Sequence, residues 1–444
     1  MSKEGKIQNI KYAPPPPDVP MLGKQSTQEV SFIGRTNYAA GLEEKKYIFG
    51  IKRIDRRHHV YVIGKSGMGK SKLIELLVRQ DIAHGKGVCL IDPHGDIMGA
   101  ILDFIPEQRM HDVCVLDPSD TTHPTAFNIF SNVDPLFRHQ LVQSIIEVLK
   151  KQFGEHWTFR LEHVTRFTML ALLDYPEATL QGITLMLRNA SFRKRVIPHI
   201  HDEMVKRFWE TEFDAWSTQY DAEAIIPLEN KMSQFLSHPL MRGMTGEFEN
   251  KINFEELINN QSIILINLCK GKMGEENANF WGSMIIAKLK QAIISRATIS
   301  ARLRNDYYVY IDGCNTLVTD TFESVLEEAE KVGICMTLSH QYLHQLPARM
   351  QAAVLGNIGN IIVFRVGGED AEKLEAEMTP LFKAKDMINL GLQEFYIKMT
   401  IDGETHDPFS AETLKILPVP HASFAGAIIE ESFSRFGVTG EDRE

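Results

Sequence analysis

The chain has few cysteines, and none of them are paired in sequence. Its 444 residues include only five, which are Cys89, Cys114, Cys269, Cys314 and Cys335, and no two of them form a CxxC pattern. An odd, widely spaced set of thiols supports neither a disulfide framework nor a zinc ribbon. A reducing compartment fits this composition best.

Long apolar runs are also missing. A helix that spans a bilayer needs about 18–20 consecutive apolar residues, whereas runs such as Ser262–Leu268 and 361–366 have the size of strands. The N-terminal sequence MSKEGKIQNIKYAPPPP is polar and ends in prolines, unlike a secretory signal. We therefore expect no transmembrane segment in this chain and a cytoplasmic location.

An excess of positive charge is absent as well. Lysine and arginine number 48 against 58 acidic residues, which gives a formal net charge of −10 at pH 7. This balance weighs against a surface that binds a polyanion over its whole area, so any contact with nucleic acid must be local. The apolar fraction of 43% is enough to build a large core.

Short apolar runs bounded by glycine, aspartate or proline recur along the chain. They are His59–Ile63, Gly87–Ile91, Asp112–Leu116, Ser262–Leu268, Tyr307–Ile311, Gly333–Leu338 and Ile361–Phe364. They are apolar throughout rather than alternating, which is typical of parallel strands covered by helices on both faces. The pattern predicts an α/β fold with a mainly parallel sheet.

A helical pattern without strand signals separates two blocks of this sheet. From about Val133 to Met244 apolar residues recur at i, i+3 and i+4, which predicts an inserted all-α domain. We expect a flexible proline-rich leader over 1–31, a first core block over 32–132, the helical insertion over 133–244, a second core block over 245–430 and a polar tail over 431–444.

The stretch Ser191–Trp216 of the insertion mixes basic and aromatic residues, and two interpretations stay open. It could be a nucleic-acid surface with stacking aromatics. The alternative, a helix pair with an aromatic core and solvated charges, is favoured because charge runs are usually solvated. On the first interpretation the candidate DNA contacts are Arg188, Arg193, Lys194 and Arg195.

The strongest motif is a glycine-rich loop that satisfies GxxxxGK[ST]. It consists of Gly64, Lys65, Ser66, Gly67, Met68, Gly69, Lys70 and Ser71. The strand-like HVYVI precedes it and the amphipathic SKLIELLVRQDIA follows it, which is the order a phosphate-binding loop requires. We expect its amide groups to bind the phosphates of a nucleotide, Lys70 to contact the β- and γ-phosphates, and the Ser71 hydroxyl to ligate Mg²⁺.

Such a loop needs a carboxylate at the end of a neighbouring strand to hold the magnesium ion. Asp312 follows Tyr307–Ile311 directly and is our candidate for that role. Asp92, which follows Gly87–Ile91 in the segment DPHGD with Asp96, is a second carboxylate at a strand end. A capping role in the turn is as well supported for Asp92 as a catalytic one.

Taken together, the segments VYVIGKSGMGKS, CLIDPHGD, YVYIDG, LEEAEKVGICMTLSHQ and GNIGNIIVFRVG resemble the HerA–FtsK superfamily of DNA-pumping ATPases. Within it they are similar to the coupling proteins of type IV secretion, the TraD/TraG-like conjugative motors. The likeness extends from about Phe32 to Pro420. It implies a RecA-like P-loop NTPase core that uses ATP and Mg²⁺, a polar sensor at Gln341, and a hexameric ring that threads DNA.

Two departures from the family pattern concern catalysis. The family's magnesium-site Asp is followed by a Glu that polarises the attacking water, whereas Asp312 is followed by Gly313. By spacing, Glu330 stands where the family has an arginine that is offered to the neighbouring subunit. Each loss removes transition-state stabilisation, and an arginine finger alone can contribute about 10³–10⁵ in rate.

Two functional hypotheses follow. The first is an ATP-driven DNA translocase with Lys70, Asp312, Gln341 and, in place of the missing Glu, Asp92 as catalytic residues. The second is a nucleotide-binding but hydrolysis-deficient ring or regulatory subunit. A small-molecule kinase is disfavoured because the helical insertion would have no role in it. The family's coupling proteins are membrane-anchored, so this chain either resembles soluble members or is recruited to the membrane by a partner.

Overall fold

A computed structural model describes residues 10–38, 46–248, 250–317, 322–419 and 421–438. Its strands are β1 (Val30–Thr36), β2 (Ile48–Lys52), β3 (Val60–Ile63), β4 (Gly87–Asp92), β5 (Val113–Leu116), β6 (Ile263–Asn267), β7 (Tyr307–Ile311), β8 (Ile334–His340), β9 (Asn360–Val363), β10 (Glu394–Lys398), β11 (Thr400–Ile401), β12 (Glu404–Thr405) and β13 (Phe409–Thr413).

The α-helices lie between these strands and after the last one. They are α1 (Lys70–Ala83), α2 (Asp96–Phe104), α3 (Arg138–Phe153), α4 (Phe159–Leu173), α5 (Gly182–Arg188), α6 (Ala190–Val196), α7 (Glu203–Arg207), α8 (Phe213–Tyr220), α9 (Ile226–Ser237), α10 (Pro239–Thr245), α11 (Phe254–Asn259), α12 (Lys270–Met273), α13 (Glu275–Ser295), α14 (Phe322–Lys331), α15 (Ala348–Asn357), α16 (Gly368–Met378), α17 (Ala384–Ile388) and α18 (Ala425–Phe436).

One eleven-stranded sheet runs through the fold in the order β2-β1-β13-β10-β9-β3-β8-β7-β4-β6-β5. The strands from β9 to β5 are parallel to one another, and each coincides with one of the seven apolar runs. The remaining four continue the sheet in antiparallel pairing. The predicted α/β fold with a mainly parallel sheet is confirmed, and the antiparallel flank is an addition that the sequence did not reveal.

The strand sequences are apolar throughout because helices bury both faces of the sheet. In β3, Tyr61 and Ile63 pack into one hydrophobic cluster, whereas Val60 and Val62 pack into another on the opposite face. All four residues are at most 1% exposed. Since the carboxyl ends of the parallel strands share one edge, the loops that follow β3, β4, β6, β7 and β8 converge there.

Helices α3 to α10 lie between β5 and β6, where the helical insertion was expected. The aromatic residues of this region form its core: Phe208, Trp209 and Phe213 are each at most 4% exposed, and the ring centroids of Trp209 and Phe213 are 4.5 Å apart. Because these rings are buried against one another, they are not available to stack on bases. The interpretation of an aromatic core is the one that the structure supports.

The two ends of the chain differ from the expected flexible leader and polar tail. Of the leader, residues 1–9 lie outside the described residues, but Ala13 is 3% exposed and its amide donates to Ser410 Oγ at 3.0 Å. The leader also contributes the first residues of β1. Of the tail, residues 431–436 belong to α18 and Phe436 is buried. Both segments pack on the sheet because their apolar residues cover exposed strand edges and faces.

A buried ionic cluster connects the helix that follows the glycine-rich loop to the sheet. The Asp81 carboxylate on α1 accepts hydrogen bonds from Arg53, Arg56 and Tyr310 Oη, and the Arg56 Nη1 distances to its two oxygens are 2.9 and 3.0 Å. Asp81 and Arg56 are 0% and 1% exposed. Although burial opposes the cation, Asp81 raises the pKa of Arg56 above its usual value.

We predict that Asp81→Asn destabilises the protein, because two buried arginines lose their charge partner. Breaking a buried ion pair costs about 3–5 kcal/mol, whereas an exposed pair contributes about 0–1 kcal/mol. The matched control is Asp402→Asn, since Asp402 is 65% exposed and pairs with Lys52 on the surface. Urea unfolding followed by circular dichroism measures both variants. Equal, small losses of unfolding free energy would contradict the assignment.

Candidate functional site

The glycine-rich loop connects β3 to α1 at the carboxyl edge of the parallel strands. Its fold depends on a close approach to the end of β9: the Lys65 amide donates to the Arg365 carbonyl at 2.9 Å. A Cβ at Gly64 would lie 2.5 Å from Phe364 Cβ, so only glycine fits at this position. The loop therefore wraps tightly at the N-terminus of α1, where its amides and the helix dipole favour an anion.

The Lys70 ammonium lies inside this loop. Its Nζ donates to the Gly64 carbonyl at 2.6 Å and to the Lys65 carbonyl at 3.1 Å, and the residue is 7% exposed. Burial lowers the pKa of Lys70 from its usual value, and the charge of Asp312 partly opposes that effect. A buried cation held only by neutral carbonyls is a fitting partner for the phosphates of a nucleotide.

Ser71 and Asp312 meet beside this lysine. The Ser71 hydroxyl donates to Asp312 Oδ2 at 3.1 Å, although the two residues belong to different elements, α1 and the turn after β7. Asp312 Oδ1 accepts from Ser339 Oγ and from the Gly313 amide. A hydroxyl and a carboxylate next to a phosphate loop match the oxygen ligands of Mg²⁺, so these two residues fit the expected magnesium site.

These groups line one cavity of about 450 Å³. Lys70, Ser71, Asp312 and Gln341 all contribute to its wall, so the predicted sensor Gln341 shares one cavity with the other three residues. His340 also lines the cavity, with Nε2 at 2.6 Å from Tyr61 Oη, and burial lowers the pKa of His340 to about 4. The imidazole is therefore neutral at pH 7 and adds no charge to the cavity.

Asp92 does not belong to this cavity wall. Its Oδ1 accepts from the His94 amide at 3.0 Å, and its Oδ2 accepts from the amides of Ile97 and Met98 at 2.8 and 2.9 Å. The residue is 2% exposed. Oδ2 therefore binds the first amides of α2 and Oδ1 binds an amide of the preceding turn, which is the capping alternative. The hypothesis that Asp92 activates water in place of the missing Glu is not supported by this geometry.

Gly313 occupies a turn that is built for glycine. Its φ is +62°, in the left-handed region, and a Cβ there would lie 3.2 Å from Pro93 Cγ. A glutamate at 313 would be strained, so Gly313→Glu is not a simple restoration of the family's residue. Glu330 lies at the end of α14, far in the fold from the carboxyl edge, and pairs with His58 Nδ1 at 3.0 Å.

Sequence reasoning missed two charged residues of the cavity, Lys270 and Glu275. Both line it with Asp312, and Lys270 Nζ lies 2.7 Å from Glu275 Oε1. They follow β6, whose carboxyl end is at the same edge of the sheet as that of β7. The strand-end rule that selected Asp312 and Asp92 does not find them, because Lys270 lies in the short helix α12 and Glu275 lies after it, rather than directly at the end of β6.

The four candidate DNA contacts differ in their surroundings. Arg188 pairs with Asp221 and Glu229, each at 2.7 Å, and Arg193 donates to the Met186 carbonyl and packs over the Phe213 ring. These two arginines serve the helical domain itself. Lys194 and Arg195 are exposed and remain candidates.

The site and the sheet define a RecA-like P-loop ATPase fold. Residues 52–269 match the family model of the central domain of helicase HerA, so the resemblance to the HerA–FtsK superfamily is confirmed. Comparison with curated proteins gave no match. Within the described ranges, no helix is long and apolar enough to cross a bilayer.

Solved structures share the fold at low sequence identity. The plasmid coupling protein TrwB in complex with the GTP analogue GDPNP has a TM-score of 0.63 and 14% identity over 93% of this chain and 99% of that one. TrwB in complex with ADP and Mg²⁺ has a TM-score of 0.61 at 14% identity, covering 84% and 89% of the two chains. VirB4 of Thermoanaerobacter pseudethanolicus has a TM-score of 0.60 at 11% identity, covering 86% and 98%. The fold is thus that of coupling and secretion ATPases.

We predict that Lys70→Ala weakens the binding of ATP-Mg by about 10- to 100-fold, because hydrogen bonds to a charged group contribute about 1.5–3 kcal/mol. Lys72→Ala is the matched control: this lysine is on the same helix, but its side chain is 69% exposed and pairs with Glu75 outside the cavity wall. Isothermal titration calorimetry measures both. If the unaltered protein does not bind ATP at millimolar concentration, the site is misassigned.

We predict that Asp92→Asn lowers stability by about 1–2 kcal/mol, as the loss of a helix cap does, while ATP affinity and any turnover change less than threefold. Thermal unfolding and an ATPase assay on the same preparation separate the two effects. A loss of turnover by about 10²–10⁴, the range of general-base catalysis, would restore Asp92 as the group that activates water.

Proposed function

We propose that the chain is an ATP-driven motor of the coupling-protein type, which uses hydrolysis of ATP to move DNA. The observation that carries the proposal is the contact of 3.1 Å between the Ser71 hydroxyl and the Asp312 carboxylate beside the buried Lys70 ammonium. A serine, a carboxylate and a lysine in one cavity are what a Mg²⁺-triphosphate needs, and little else in the fold would explain a buried lysine there.

The roles of the residues follow from their positions. Lys70 would bind the β- and γ-phosphates after leaving the carbonyls of Gly64 and Lys65. Ser71 and Asp312 would hold Mg²⁺, which neutralises charge on the phosphates when bound. Gln341, which follows β8 and lines the same cavity, would respond to the γ-phosphate and transmit its loss through that strand.

The proposals that the chain binds DNA and assembles into a ring come from its resemblance to the family. HerA–FtsK proteins and the conjugative coupling proteins handle DNA, and we propose a homo-oligomeric ring, hexameric as in the family, with DNA held by local basic residues such as Lys194 and Arg195. A partner in a secretion or transfer system would bring the chain from the cytoplasm to the membrane. The net charge of −10 restricts DNA contacts to a small part of the surface.

A second candidate function is a nucleotide-binding ring that does not hydrolyse ATP. The observation in its favour is Gly313, which has no side chain to orient water and whose left-handed backbone disfavours any other residue. Glu330, which stands where the family has an arginine, also favours a ring that does not hydrolyse ATP. Binding of ATP would then serve assembly or regulation.

We predict that the purified protein hydrolyses ATP and that single- or double-stranded DNA raises the rate. DNA affinity should lack sequence preference and fall steeply with salt, because phosphate contacts dominate.

Asp312→Asn should lower turnover by about a hundredfold or more without changing DNA affinity, with Asp402→Asn as the surface control. Tight ATP binding without turnover under every DNA condition would select the second function, and salt-independent DNA binding would contradict the first.

A further inference from the structure

The cavity contains a second carboxylate that the family pattern does not provide. Glu275 is the first residue of α13 and lines the cavity with Lys70, Ser71 and Asp312. Among the described residues of the cavity wall, Asp312 and Glu275 are the two that carry a carboxylate. The Glu275 side chain is 62% exposed, so its carboxylate is accessible to solvent.

The other two carboxylates near the site, Asp312 and Asp92, already accept hydrogen bonds from neighbouring groups. Asp312 accepts from Ser71 on one oxygen and from Ser339 and the Gly313 amide on the other. Asp92 accepts from three amides and is buried outside the cavity wall. Each oxygen of these two carboxylates therefore already accepts a hydrogen bond, which argues against either one orienting water.

Glu275 has one close partner, the Lys270 ammonium at 2.7 Å from its Oε1. Lys270 is the first residue of the short helix α12, and Glu275 begins α13 directly after the Gly274 that ends α12. The residues at both ends of α12 have positive φ, +51° at Cys269 and +77° at Gly274. The start of this segment is anchored, because the Lys270 amide donates to the Pro93 carbonyl at 3.0 Å. The pair therefore has a defined position on one wall of the cavity. Asp312 is the other acidic residue among the described residues of that wall.

We propose that Glu275 is the water-activating carboxylate of this ATPase, and that Lys270 occupies it until a bound triphosphate attracts the ammonium away. The inference rests on the proposed ATP hydrolysis. The water oxygen forms a bond to the γ-phosphorus while the bond from that phosphorus to the β–γ bridging oxygen breaks, which yields ADP and inorganic phosphate. The proton released by the water passes to Glu275 and then to solvent.

The two members of the pair have different roles in this scheme, which makes it testable. Glu275→Gln should lower kcat by about 10²–10⁴ and leave the affinity for ATP and for a non-hydrolysable analogue within about threefold. Nucleotide extracted after a single turnover period should then be mostly ATP rather than ADP. Lys270→Ala should instead raise the KM for ATP several-fold, with kcat within about threefold, because it removes a phosphate contact and not the base.

The matched control is Glu276→Gln, in the same first turn of α13. Glu276 faces the helical domain, where it pairs with Lys231 and accepts from Gln234 Nε2 at 2.8 Å. It lies outside the cavity wall, so its substitution should leave kcat and KM near those of the unaltered protein. Circular dichroism of all variants checks that α13 is retained.

Three results would overturn the inference. Turnover of Glu275→Gln equal to that of Glu276→Gln would show that the carboxylate has no catalytic role. The same loss of kcat in Glu275→Gln and Lys270→Ala would mean that the ion pair only supports the wall of the cavity. ATP binding without hydrolysis in the unaltered protein would refute the proposed ATPase function together with this inference, whereas the first two results leave that function intact.

Discussion

The site depends on one buried positive charge. The Lys70 ammonium sits among backbone carbonyls of the glycine-rich loop at 2.6 and 3.1 Å, with burial lowering its pKa. Neutral carbonyls compensate the charge of a buried cation less well than an anion does. A phosphate group that replaces them therefore gains binding free energy. The close packing of the loop on the end of β9 and the Asp81 cluster below α1 keep this lysine in place.

Four acidic residues of the fold show how surroundings decide the role of a carboxylate. Asp81 is fully buried between arginines and stabilises the fold. Asp92 caps α2 with Oδ2 and binds an amide of the preceding turn with Oδ1. Asp312 meets a serine hydroxyl and fits the magnesium position. Glu275 alone is largely exposed to the cavity, with a single cation as its close partner. The last arrangement is the one on which the proposed activation of water rests.

Sequence reasoning predicted the parallel strands, the glycine-rich loop and the pairing of Ser71 with the Asp312 strand end, because apolar runs and glycine spacing are local signals. It missed β1, β2, β10 and β13, whose sequences, such as EFYIK and IFGIK, mix polar residues or glycine with apolar ones. It could not decide whether Asp92 caps a helix or acts as a general base, because that role depends on how the following turn folds. It also did not predict Lys270 and Glu275 as site residues, because only the tertiary structure brings them to the cavity.

The most direct test of this account is a structure of the protein with Mg²⁺ and a non-hydrolysable ATP analogue. The account predicts that Lys70 leaves the Gly64 carbonyl for the β- and γ-phosphates, that Mg²⁺ lies about 2.0–2.1 Å from the Ser71 hydroxyl, and that Glu275 separates from Lys270 and faces the γ-phosphate. An analogue bound outside this cavity, or bound inside it with the Lys270–Glu275 pair intact and turned away from the γ-phosphate, would contradict it.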